Sequence, residues 1–350
     1  NVEYFINEIT TQIDFSFLNQ TYQPFTGGSS PIYLNPGFNA LFKIGLTDLL
    51  EDYRIIGGVR LNLNLANNEY LLSFANLKKR LDKEIIFHRQ AIENYDEFNN
   101  IVRVYSHEVF YVVKWPFNRI MAVKGTASYR NDNAVFMSTD ATNLARPDEY
   151  RNWVGAKGEF IYDDTKNLGL NLYHGTRFKI FGEYYQLIER ANQNLVVLGL
   201  DFRNYQRIHR VLIWANRFAI STSFGNNRLI YYMGGVDNWL FPKFSTNTPV
   251  DFTQNHAYQT LATNMRGFKQ NIRNGNSFAV FNTEVRFPIF RYFANSPIKS
   301  DFLNNFQLVG FGDVGSAWTG LHPYADDNFL FTNRIEQSPL NITVKVQKDP

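Results

Sequence analysis

Apolar and polar residues alternate along most of this chain in runs of about ten, each closed by a turn, which is the period of a β-strand with one wet and one apolar face. Arg54–Asn64 sets Arg54, Arg60, Asn62 and Asn64 against Ile55, Val59, Leu61 and Leu63. Thr176–Tyr185 opposes Arg177, Lys179 and Glu183 to Phe178, Ile180 and Tyr184, and Val196–Arg203 opposes Asp201 and Arg203 to Val196, Leu198, Leu200 and Phe202. One such run would fit a soluble sandwich equally well. About thirteen follow one another, near 3–19, 37–49, 53–66, 69–78, 82–93, 100–113, 117–130, 152–164, 176–189, 193–205, 208–224, 277–290 and 303–319. Their links alternate in length, tight at Leu50–Tyr53, Lys79–Asp82, Lys114–Pro116 and Tyr205–Arg207, long at Gln20–Gly37, Arg130–Arg151 and Gly225–Asn276. Short turns at one rim and long loops at the other predict an all-β, transmembrane antiparallel β-barrel.

Composition sharpens this picture. Phe (32) and Tyr (20) bring the aromatic fraction to 16%, while charged residues fall to 19%, as expected of a barrel with aromatic girdles. No stretch approaches the roughly 20 apolar residues of a membrane helix, and the mean hydropathy is -0.31; a helical membrane protein is excluded. The absence of cysteine fits an exported bacterial protein but discriminates weakly. Lys and Arg are interleaved with Asp and Glu rather than gathered on a face, so no nucleic-acid partner is expected. Thirteen strands leave an open edge of unpaired amides, costly in lipid. The reading is therefore a sixteen-stranded barrel domain occupying 1–350, with about three further strands expected beyond Pro350. A leader and any N-terminal periplasmic domain would precede Asn1.

The long loop 225–276 and the strands after it carry the most specific motifs. Met265-Arg266-Gly267-Phe268 stands in the loop, Tyr232–Asn238 with Gly234 and Gly235 opens it, and Asn276–Pro288 and Gly310–Trp318 follow. By parity Asn282, Glu284 and Arg286 share one face, and Asp313 shares its face with Gln307. These segments resemble the superfamily of BamA/TamA-type outer-membrane assembly and translocation barrels, the bacterial surface antigen family, in which the sixth external loop carries Val-Arg-Gly-Phe/Tyr and folds back into the lumen. Here Met replaces the Val. About thirty residues separate Gly235 from Arg266 where the family has few, which bears on the loop's local geometry. With Phe160–Gly175 the resemblance covers about residues 152–319, and the Asn-, Tyr- and Phe-rich first half looks like divergent Bacteroidota members.

The resemblance implies that Arg266 pairs with Glu284 and Asp313 inside the lumen, with Gly267 turning the backbone; bidentate pairing would fix orientation as well as energy. The bland alternative is an ordinary loop arginine. It also implies a bacterial outer-membrane location and a non-enzymatic role in inserting or translocating outer-membrane or surface proteins, with admission of a substrate strand at the seam by β-augmentation near 3–19. Implied partners are outer-membrane lipids such as lipopolysaccharide, unfolded or nascent outer-membrane proteins, and periplasmic or lipoprotein accessory subunits. A passive pore, or a membrane anchor for a missing N-terminal domain, are the alternatives. Neither cofactor nor metal is expected: His88, His107, His174, His209, His256 and His322 are scattered, as lone surface or lumen histidines. Asp163–Asp164 and Asp326–Asp327 are weak carboxylate-pair candidates, and Gly312–Ala317 lacks a nucleophile elbow.

Overall fold

The computed structural model describes residues 3–14, 17–19, 21–27, 39–62, 67–96, 98, 100–137, 145–236, 239, 242–320, 322–325, 328, 332–337 and 342–347. In chain order the strands are β1 (Tyr4–Asp14), β2 (Gln23–Pro24), β3 (Asn39–Asp48), β4 (Tyr53–Asn62), β5 (Asn68–Asn76), β6 (Asp82–Tyr95), β7 (Ile101–Pro116), β8 (Met121–Phe136), β9 (Glu149–Asp163) and β10 (Lys166–Gly169). They continue as β11 (Leu172–Leu187), β12 (Asn194–His209), β13 (Leu212–Phe224), β14 (Arg228–Met233), β15 (His256–Leu261), β16 (Arg273–Gly275), β17 (Ser277–Phe287), β18 (Leu308–Trp318), β19 (Thr332–Gln337) and β20 (Ile342–Gln347). Two short helices, α1 (Ile289–Phe293) and α2 (Asp301–Asn305), lie between β17 and β18.

The all-β antiparallel barrel fold expected from the alternation is the one observed. A single ladder joins β1-β3-β4-β5-β6-β7-β8-β9-β11-β12-β13-β17-β18, a wall of thirteen strands with β10 attached to β11. Its two faces invert the pattern of a soluble protein. The odd positions of β6 and β7 look outward and include Ile85, Phe87, Val109 and Tyr111, while the even positions hold His88, Gln90, Ser106 and Glu108, all buried. Across the wall the row Ile44–Gly57–Leu72–Phe87–Val109–Tyr129–Val154 is wholly uncharged on the outer face. Phe87 leaves 54% of its surface exposed and Arg60 none. Apolar side chains outside and ionised ones inside are stable only if the outside meets something as apolar as themselves.

Several boundaries depart from expectation. The link placed at 114–116 lies at 117–120, because Pro116 sits at the end of β7 and the turn is made by Asn118, whose side chain accepts from the amides of Ile120 and Met121 (both 2.9 Å). The link placed at 205–207 is a two-residue turn at Arg210, with φ +47°. The strands expected over 277–290 and 303–319 are shortened by α1 and α2: Pro288 closes β17, and the Ser300 side chain caps α2. Strands were expected to end at 319 within this chain, yet β19 and β20 form a hairpin beyond it.

The long loop is more than a loop. Its β14, β15 and β16 join β2 from the first long loop in a small sheet ordered β16-β14-β15-β2, whose β14–β15 pair is parallel. This sheet packs on the buried face of the wall. Leu229, Tyr231, Met233, Ala257, Tyr258 and Met265 form one apolar cluster with Trp153, Leu195, Val197, Ala219, Phe278 and Val280 of the wall. Between them the two long loops touch wall strands from β4 to β18.

Refolding by dilution from urea should therefore give a β-sheet circular-dichroism signal only when micelles or lipid vesicles are present. A soluble, folded monomer in plain buffer would contradict this arrangement.

Candidate functional site

Arg266 lies where the loop returns to the wall. Its backbone amide and Nε both donate to Asp313 Oδ2 (2.8 Å each), Nη2 donates to Asp313 Oδ1 (2.7 Å), and Nη1 donates to Glu284 Oε1 (2.5 Å). The two carboxylates hold the guanidinium charged, with its pKa raised above that of an ordinary arginine, chiefly by the hydrogen bonds to Asp313. Asn282, which pairs with Asp313 across β17 and β18, adds a bond from Nδ2 to Oδ1 (2.9 Å) and another to the Asn264 carbonyl of the loop (3.0 Å). The second Glu284 oxygen accepts from Arg286 Nε (2.8 Å). Five bonds thus tie one loop arginine and its neighbour to two adjacent strands. The Phe311 ring, 3.9 Å from the guanidinium carbon, completes the seat by a cation–π contact. Phe311 was not anticipated, although it stands two residues before Asp313 and so shares its face.

The base of the loop is closed despite the insertion after Gly235. Met265 N donates to Gly235 O (2.9 Å) and Gly235 N to Phe268 O (3.0 Å), so Gly235 and Met265 face each other as though the intervening residues were absent. Gly234 requires its residue type: φ is +104°, and an added Cβ would fall on the Lys269 carbonyl oxygen. Gly267, φ +82°, makes the turn after Arg266. Phe268 does not join the apolar cluster and stays 40% exposed, whereas Met265 is buried in it. The side chain that anchors the tip by burial is the methionine.

A second set of charges crosses the opposite side of the wall, and sequence reading missed it. Arg60 Nε donates to Glu69 (2.7 Å); His88 bridges Glu69 and Glu108 through its two ring nitrogens (2.6 Å each); Arg130 reaches Glu108 (2.8 Å) and Asp132 (2.8 Å). These alternating charges run through β4, β5, β6, β7 and β8 and are all buried. With a carboxylate at each ring nitrogen, only an imidazolium supplies both donors. His88, expected as a lone histidine, is the middle of the chain. Loops complete it: Leu18 and Asn19 amides donate to Glu69 (3.0 Å each), Tyr22 O accepts from Arg130 (2.7 Å), and Tyr258 of β15 donates to Asp132 (2.9 Å) while its ring lies 4.5 Å from the Arg130 guanidinium.

The remaining candidates have structural uses. Asp163 accepts from the Thr165 amide (3.0 Å) and Asp164 from the Thr176 amide (2.5 Å), which fixes the turn around β10. His209 meets the Tyr292 hydroxyl (2.8 Å) at the short-turn rim, and burial beside Phe25 lowers the pKa of His256 in the loop sheet. Asp326 and Asp327 lie outside the described residues. Gly312–Ala317 is strand, part of β18.

No protein-family model and no curated protein sequence matches the chain. Among solved structures, the crystal structure of BamA from Haemophilus ducreyi lacking POTRA domains 1–3 superimposes with a TM-score of 0.53 at 11% identity, over 91% of this chain and 63% of that one. The fold is similar to the BamA barrel. At this identity the likeness concerns the fold alone, and the chain spans 63% of the length of that BamA chain. The BamA-like fold places Arg266, Glu284 and Asp313 on the last two wall strands and the loop between β13 and β17.

Two outcomes are expected from these contacts. Glu108→Leu strands His88 and Arg130 with one partner fewer each and should cost about 3–5 kcal/mol, read as a lower guanidinium midpoint in vesicles. Gly234→Ala should also lower that midpoint and shed the loop, measured as faster protease cleavage within 236–264; cleavage at the unaltered rate would mean the glycine is dispensable.

Proposed function

We propose that this chain forms a barrel of the bacterial outer membrane that inserts or translocates outer-membrane or surface proteins without performing covalent chemistry. In this reading residues 225–276 are an external loop folded into the lumen, and Arg266, seated between Glu284 and Asp313, is its lock. The observation that carries the proposal is that the loop sheet packs through an apolar cluster onto part of the inner face of the wall. A passive pore spends its polar inner face on a water column; here loop groups bond to Glu69, Arg130, Asp132, Glu284 and Asp313 of that face, beside a cavity of about 480 Å3. The likeness to the BamA barrel supports the same reading, and the apolar outer rows support a lipid environment.

The proposed partners follow. Lipids of the membrane, lipopolysaccharide among them, would cover the outer face. Unfolded outer-membrane protein would present strands to the edge of β1, whose other side pairs with β3. Accessory periplasmic or lipoprotein subunits would deliver such substrates.

Arg266→Ala leaves a nearly buried Asp313 without its main donors, at about 2–3 kcal/mol. Heat-modifiable gel migration should then be lost at lower temperature, and depletion of the native protein should not be rescued for client insertion. Unchanged migration together with unchanged insertion would sink the lock. In planar bilayers the unaltered protein should show little steady conductance and Arg266→Ala should open it; sustained conductance without the change would favour the pore instead. Ile180→Arg, on the outer face, should cost about 2–4 kcal/mol in vesicles, against little effect in a soluble setting.

A further inference from the structure

The outer face of β3 to β7 carries a feature that neither the loop lock nor strand insertion uses. A groove of about 590 Å3 lies there, lined by Phe42, Ile44, Gly57, Leu72, Phe87 and Val109. It exists because Gly57 has no side chain: a Cβ at that position would meet nothing within 4 Å. Two residues nearer the long-loop rim on the same face, Arg89 and His107 stand directly opposite each other across β6 and β7. Arg89 is held by the Asn68 side chain (2.8 Å) between the Tyr70 and Tyr105 rings, 5.6 and 5.4 Å from their centroids, and no carboxylate pairs with it among the described residues. His107 beside it is exposed.

The other arginine of these strands on that face has an acid: Arg103 pairs with Glu93 (2.6 Å). Towards the short-turn rim the next two rows of the wall, through Phe87 and through Ile85, are free of charge. Arg89 and His107 therefore mark the upper limit of the apolar band. A cation presented by aromatic rings, with a ring N–H next to it and a slot for a hydrocarbon chain just beneath, has the complement of an amphiphile: an anionic head and an acyl tail.

We propose that this groove is a binding site for an acidic, phosphate-bearing lipid of the leaflet at the long-loop rim, with the phosphate on Arg89 and His107 and one acyl chain in the slot over Gly57. The inference rests on the barrel lying in a bilayer, and its failure is separable from failure of that reading, because a barrel without this site still folds and migrates as a barrel.

The test is native mass spectrometry of the full chain in detergent with added dioleoyl-phosphatidylglycerol or dioleoyl-phosphatidylcholine, after gel migration has shown each variant to be folded. The unaltered protein should retain phosphatidylglycerol about ten-fold better than phosphatidylcholine. Arg89→Gln with His107→Gln should abolish that preference, Arg89→Lys should keep most of it, and Gly57→Leu, which fills open space, should weaken retention of both lipids. Equal retention of the two lipids by the unaltered protein, or retention unchanged in Gly57→Leu and in the double variant, would overturn the proposal. A dimer that Gly57→Leu dissolves, seen without lipid adducts, would also overturn it by assigning the groove to a second copy of the chain.

Discussion

The structure depends on one requirement: the charges buried on the inside of the wall between β4 and β8 must meet their opposites within a few ångströms. Removing an ion from water costs several kcal/mol unless a partner and further hydrogen bonds offset it. Alternation puts Arg60, Glu69, His88, Glu108, Arg130 and Asp132 on the inner side of five successive strands, and the antiparallel register lines them up in alternating sign. The strands alone do not satisfy them all. Amides of residues 18 and 19, the Tyr22 carbonyl and the Tyr258 hydroxyl arrive from the two long loops to add bonds to Glu69, Arg130 and Asp132. On the far side of the wall the relation is reversed, since the loop brings the cation, Arg266, and the wall supplies Glu284 and Asp313. The loops are held in place by what the wall lacks.

This explains why the loop between β13 and β17 is built as a sheet. A loop filling such a space must pair its own backbone, because there is too little water to do so. β14 pairs with β15 on one side and β16 on the other, and β2 extends the sheet from the first loop. Apolar residues on that small sheet cover the part of the wall where Trp153, Leu195, Val197 and Phe278 replace charges. Polar and apolar contacts thus divide the inner face between them.

Much of this was legible in the sequence. Period-two alternation located all thirteen wall strands, and parity grouped Glu284 with Asn282 and Arg286, and Asp313 with Gln307. The motif around Arg266 supplied the third partner. What escaped has definite causes. The chain of charges through His88 joins residues about twenty apart whose meeting depends on register, and register is set by turns whose positions were misjudged at Pro116 and Tyr205. The helices α1 and α2 are too short to show a period, and the parallel β14–β15 pair joins residues far apart in sequence with no local signal. Phe311 was hidden by its ordinariness: an aromatic residue on a barrel strand is expected to face lipid, and this one faces an arginine.

The absence of cysteine allows a direct measurement of whether the loop lies inside the wall. Ala257 of β15 is buried against the inner face, and Ala191 lies exposed in the turn between β11 and β12. Single variants Ala257→Cys and Ala191→Cys, folded in vesicles, would be treated with a membrane-impermeant maleimide. The account predicts rapid labelling at position 191 and protection at position 257 that is lost when Arg266→Ala is added. Equal labelling of the two positions in the otherwise unaltered protein would contradict it.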